Sequence, residues 1–91
     1  MRVRWTTNAA TDFARVIDRI REDNPAAAQR VARTIYTAVA GLSKFPWRGR
    51  IGLAPGTREL LFPPWPYIAV YEITDERVHV LRIRHAARNW P

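Results

Sequence analysis

Apolar residues recur along this chain with two different periods, and each change of period marks an element. In residues 2–5, RVRW, they alternate with charge, so Val3 and Trp5 share one face of a short strand. From Ala9 to Asp23, Phe13, Val16, Ile17 and Ile20 fall at i, i+3, i+4 and i+7. That is the buried stripe of an amphipathic helix, with Thr6 or Thr7 available as its N-cap. Asn24-Pro25 ends it, because a residue before proline resists the helical region and proline suits the first turn of a new helix. Ala28, Val31, Ala32, Ile35, Val39 and Leu42 then predict a second helix over residues 26–43, packed back on the first as an antiparallel hairpin.

After Phe45-Pro46 the pattern lapses. PWRGRIGLAPG, residues 46–56, carries two prolines and three glycines and reads as a basic loop. Strand-like runs follow at residues 57–62, 67–74 and 77–84, with Asp75-Glu76 as the turn of a hairpin between the last two. Pro63-Pro64-Trp65-Pro66 cannot sit inside a hydrogen-bonded ladder, since proline has no donor, and must be a connection or an edge. The order β-α-α-β-β-β predicts an α+β fold: a helical hairpin packed on one face of a small, mostly antiparallel four-stranded sheet, forming one domain over residues 1–91. The other face of the sheet is expected to be open.

Charge changes the picture from a fold to a candidate function. Fifteen basic residues stand against eight acidic ones, a net charge of +7, and fourteen of the fifteen are arginine. Arginine offers a planar donor fork suited to phosphate and carboxylate. Residues 44–58 hold four basic residues and no acid; residues 82–88 hold three arginines, plus His85, again with no acid. Such concentration points to a polyanionic partner, nucleic acid or an acidic protein, with plain solubility as the simpler reading. The absence of cysteine fits a reducing compartment. Neither a leader pattern nor an apolar run near the ~20 residues of a membrane span is visible, so a cytoplasmic protein with no membrane role is expected.

Alternation along the last strand sends Leu81 and Ile83 one way, toward the helices, and Arg82 and Arg84 the other. If Arg58 lies near Arg82, two or three guanidiniums converge and could clamp a phosphate and stabilise its transition-state charge. His85, at the strand end, could act as acid or base near neutral pH. The alternative is that these arginines pair with Glu59 or Glu72 and that His85 bonds backbone. His79 reads as structural. Lys44, Arg48 and Arg50 could grip a phosphate backbone, or simply be a solvated loop face. Trp90 could stack on a base, or pack on the body of the protein. With no metal-ligand spacing and no glycine-rich phosphate loop, neither a metal nor a cofactor is expected.

The opening VRWT, the helical hairpin ending LSKFP, the WRGR that follows, RELLFPPWPYIAVYEI and the ending VHVLRIRHAARNWP, in that order, resemble the RelE/ParE-family toxins of bacterial type II toxin–antitoxin systems. The resemblance covers nearly the whole chain. It implies a small basic protein that blocks growth until an acidic cognate antitoxin binds it. It leaves two targets. RelE-branch members cut ribosome-bound mRNA, and carried over residue by residue this makes Arg58, Arg82 and His85 catalytic, with Lys44, Arg48, Arg50, Arg84, Arg88 and Trp90 binding RNA. ParE-branch members inhibit DNA gyrase without a nuclease site. The RelE-like endoribonuclease is the first expectation and the gyrase inhibitor the alternative. A module that has kept only the fold and the antitoxin interface is a third reading. Trp90 stands where several ribonuclease members carry a tyrosine, and an indole cannot take a proton in that role. The ending HAAR is ParE-like.

Overall fold

The computed structural model describes residues 1–87, and the elements are β1 (Arg2–Trp5), α1 (Thr7–Asp23), α2 (Pro25–Ala40), a single 3-10 turn (Gly41–Ser43), β2 (Arg50–Ile51), β3 (Thr57–Phe62), β4 (Trp65–Thr74) and β5 (Arg77–His85). Local chemistry sets most boundaries. The Thr6 hydroxyl accepts from the Ala9 amide, and the Asn24 side chain accepts from the Ala27 amide, so each helix begins on a side-chain cap. Pro25 opens α2, where its missing N–H costs nothing.

Among the described residues the sheet has five strands in the order β1-β5-β4-β3-β2. β1 runs parallel to β5, and every other neighbour is antiparallel. The expected four-stranded sheet is therefore corrected to five. The extra strand is the two-residue β2, inside the stretch read as loop, where Arg50 pairs with Glu59 and Ile51 with Arg58. Two residues between glycines carry no periodicity, and only β3 beside them makes them a strand.

Asp75 and Glu76 both take positive φ, 51° and 57°, which fits the tight two-residue turn of the β4–β5 hairpin to the twist of its strands. Along β4–β5 the register shifts. Val70 pairs with Arg82 and Tyr71 with Val80, which leaves Leu81 as an extra residue. The core face of β5 is accordingly Val78, Val80 and Ile83, packed with Leu60, Phe62, Ala69 and Tyr71 against Ile17, Val31, Ile35 and Val39 of the helices. Simple alternation put Leu81 and Ile83 together toward the helices. Ile83 is there; Leu81 is displaced by the bulge and does not join the core cluster.

The face away from the helices, expected from the sequence to be open, is closed at its centre. Glu59, Ile68 and Val70 lie on it and are buried. Among the described residues no helix is long and apolar enough to cross a membrane.

Candidate functional site

Among the described residues Arg58, Arg82 and Arg84 are each drawn to a different acceptor, because a partly buried guanidinium must find hydrogen-bond partners where the fold places it. Arg58 on β3 pairs with Tyr71 across the ladder, so it lies on the helix side of the sheet. Its Nη1 donates to the carbonyls of Trp47 (3.2 Å) and Gly49, and the guanidinium lies over the Trp47 indole, 5.2 Å from the ring centre. Arg82, at the bulge, leaves the sheet edge where β1 has ended and reaches helix α1. Its Nε and Nη2 donate to Asp12 at 2.8 and 3.0 Å, and the Ile83 amide donates to the same carboxylate at 3.0 Å. That hydrogen bond from Arg82 to Asp12 raises the pKa of the guanidinium and fixes its charge.

Arg84 lies on the opposite face, across from Ile68. There it meets Glu59, which is only 4% exposed. Glu59 Oε1 accepts from Arg50 Nε and Nη2 (3.0 and 2.9 Å), while Oε2 accepts from Arg84 Nη2 (3.4 Å) and the Leu53 amide (3.5 Å). Burial alone would raise the Glu59 pKa; the hydrogen bonds from Arg50, Leu53 and Arg84 and the Arg50 charge more than offset it, and the carboxyl is held below its ordinary value. The condition on which convergence rested, Arg58 on the same face as Arg82, is not met: Arg58 lies on the helix side, while Arg82 and Arg84, opposite Val70 and Ile68 in the ladder, reach Asp12 and Glu59.

His85 ends β5 opposite Tyr67, whose ring it meets edge-on at 5.5 Å between centroids. Its Nδ1 accepts from the Ala87 amide at 3.1 Å. Lys44 and Arg48 stand exposed on the loop after α2, and Arg50 is turned toward Glu59. Arg88 and Trp90 lie outside the described residues.

Three residues that organise this region were not singled out from the sequence. Tyr71 is fully buried, with its hydroxyl donating to the Pro46 carbonyl (2.7 Å) and accepting from the Gly49 amide (2.8 Å). Burial raises its pKa, against smaller opposing effects of the Gly49 N–H and Arg58. Gly49 has no room for a side chain: a Cβ there would stand 2.7 Å from the Tyr71 ring and hydroxyl and 2.9 Å from the Glu59 carbonyl. Asp12 holds Arg82. A strand tyrosine and a helix-face aspartate carry no local signal for such roles, since both partners are far along the chain, and the glycine in WRGR reads from sequence only as part of a basic loop. Among the described residues no group of three His, Cys, Asp or Glu side chains gathers as a metal site would require.

Two helices laid over a mixed five-stranded sheet, with arginines distributed along its last strands, is an α+β arrangement shared with known proteins. A family model described as the ParE toxin of the type II toxin–antitoxin system parDE matches residues 3–90. The chain is 44% identical over 84 residues to toxin RelE2 of Caulobacter vibrioides, covering 92% of this chain and 93% of that one. It is 40% identical over 90 residues to putative toxin Y4kP of Sinorhizobium fredii, covering 99% and 93%. Among solved structures it superposes on a chain of the chromosomal ParDE system from P. aeruginosa with a TM-score of 0.84 at 27% identity, over 93% of this chain and 95% of the other. Against the RelBE2 toxin–antitoxin complex of Mycobacterium tuberculosis the TM-score is 0.60 at 28% identity, over 92% and 95%. The chain belongs to the RelE/ParE family of type II toxin–antitoxin toxins.

Proposed function

We propose that this protein is the toxin of a type II pair, held inactive by an acidic antitoxin, and that it inhibits its target by binding rather than by cutting RNA, with DNA gyrase as that target. One observation supports the reading: among the described residues Arg58, Arg82 and Arg84 engage the loop carbonyls, Asp12 and Glu59 in turn, three different acceptors. Phosphoryl transfer needs donors aimed together at the developing charge. A binding inhibitor needs only a fixed, shaped, charged surface. The charge of +7 suits an acidic antitoxin by long-range attraction and by complementarity at contact.

The endoribonuclease reading is favoured by a different observation. His85 sits beside the phenol ring of Tyr67, so two groups able to carry a proton meet at the end of β5. One pair of assays separates the two. Purified gyrase is tested for supercoiling with and without the protein, and mRNA in a purified translation system is mapped by primer extension. Loss of supercoiling with uncut mRNA is the expected result. Cuts that occur only on translating ribosomes and disappear in His85→Ala and Tyr67→Phe would establish the nuclease instead.

A further inference from the structure

Helix α2 carries cations and no acid. From Asn24 to Arg58 the chain holds six basic residues and neither aspartate nor glutamate. Arg30 and Arg33 stand one turn apart on the exposed side of α2, and among the described residues neither makes an ion pair. Side chains three or four apart on a helix are neighbours, and like charges so placed weaken it. The two arginines flank a cavity of about 300 Å³, completed by Gln29 and Thr34 of the same helix and by Trp65 at the start of β4.

Trp65 is the fixed wall. It pairs with Phe62 across the β3–β4 connection and packs partly against the core cluster. It also stands between Pro64 and Pro66, whose rings lock their own φ. Helix α2 is held as firmly, through the buried Ala28, Val31 and Ile35. The cavity thus joins one aromatic wall to two guanidiniums, a carboxamide and a hydroxyl, with no acid among its lining residues. Its size, at the lower end of the ~300–1,000 Å³ of ligand sites, suits a ligand of a single ring.

We infer that this cleft binds a small aromatic phosphomonoester, with the dianionic phosphate between Arg30 and Arg33 and the ring against Trp65. A guanidinium fork matches phosphate oxygens two at a time, and two forks match the charge of the dianion. Gln29 and Thr34 supply neutral donors for the remaining oxygens. The indole offers the ring a flat apolar face. A bound anion also relieves the repulsion between the two arginines, so the ligand strengthens α2 where the empty site weakens it. The cleft shares no residue with the His85 and Tyr67 pair or with the basic loop after α2, and it stands whichever target the toxin has.

The test is isothermal titration calorimetry of the full chain with phenyl phosphate, inorganic phosphate and phenol at about pH 8, where a phosphomonoester is a dianion because its second pKa is near ~6. Phenyl phosphate is expected to bind, inorganic phosphate about 2- to 12-fold more weakly, and phenol not at all. Arg30→Ala and Arg33→Ala should each weaken phenyl phosphate about tenfold, and Arg33→Lys should recover only part of the loss, since an ammonium keeps the charge and loses the fork. Trp65→Leu should erase the preference for phenyl phosphate and leave inorganic phosphate unchanged. Both arginines are exposed, so their alanine variants keep the fold. Each should raise the Tm of the ligand-free chain, by removing the like-charge contact, and abolish the rise that phenyl phosphate gives the parent. A merely structural arginine does not produce those opposite signs. Equal affinity for phenyl phosphate and inorganic phosphate, or unchanged binding in both arginine variants, would overturn the assignment and leave an adventitious ion only. Binding of a 5′-phosphorylated oligonucleotide with none of phenyl phosphate would overturn it in favour of a macromolecular partner.

Discussion

Replacing Tyr71 by phenylalanine removes one oxygen and should loosen the whole of residues 46–49. The ring remains, packed in the core at the centre of β4. What is lost is the hydroxyl that donates to Pro46 and accepts from Gly49. A buried donor left without a partner costs about 1–3 kcal/mol, whereas a hydrogen bond whose groups can turn to water is worth about 1. Gly49 is buried, so its amide falls in the first class; Pro46 is only partly buried and its carbonyl falls in the second. The sum is about 2–4 kcal/mol, a sizeable fraction of the 5–15 kcal/mol typical of a domain. For a chain of this length it corresponds to a Tm lower by roughly 8–30 °C. Urea unfolding followed by circular dichroism measures it. A second substitution sharpens the reasoning. Gly49→Ala places a methyl 2.7 Å from the same hydroxyl, so it should cost less in the Tyr71→Phe background than in the parent, and the double-mutant cycle should show coupling. A Tyr71→Phe protein within 0.5 kcal/mol of the parent, or strictly additive substitutions, would refute the clasp.

Asp12→Asn leaves Arg82 and the Ile83 amide with a weaker acceptor; because Arg82 is partly exposed and can be hydrated, the loss should be about 1–2 kcal/mol, read by thermal unfolding. Glu59 gives a pH dependence. Its folded pKa is depressed, so its stabilisation is present above the unfolded value near 4.5 and is lost as pH falls through the folded one; Glu59→Gln should flatten the stability curve in that acid range. Glu76→Gly relieves a side chain held at φ 57° and should raise stability by up to about 1 kcal/mol, whereas Glu76→Val at the same place should lower it.

What the sequence determined by itself was everything set by near neighbours. The stripes of α1 and α2, the caps Thr6 and Asn24, the break at Pro25 and the Asp75-Glu76 turn all follow from residues within four of one another, and they stand where the periodicity put them. From them came the layer arrangement and, with the order of the motifs, the family. What only the tertiary structure decided was where the charges go. A single unpaired residue at Leu81 breaks the alternation, so Arg82 turns to Asp12, seventy positions back along the chain, and away from Arg58. Two residues become β2 only because Glu59 and Arg58 lie beside them. The clasp on Gly49 depends on a phenol twenty-two residues further on. Hydrogen bonds and ion pairs are satisfied by whichever groups folding brings within about 3 Å. A pattern read along one strand carries no information about them.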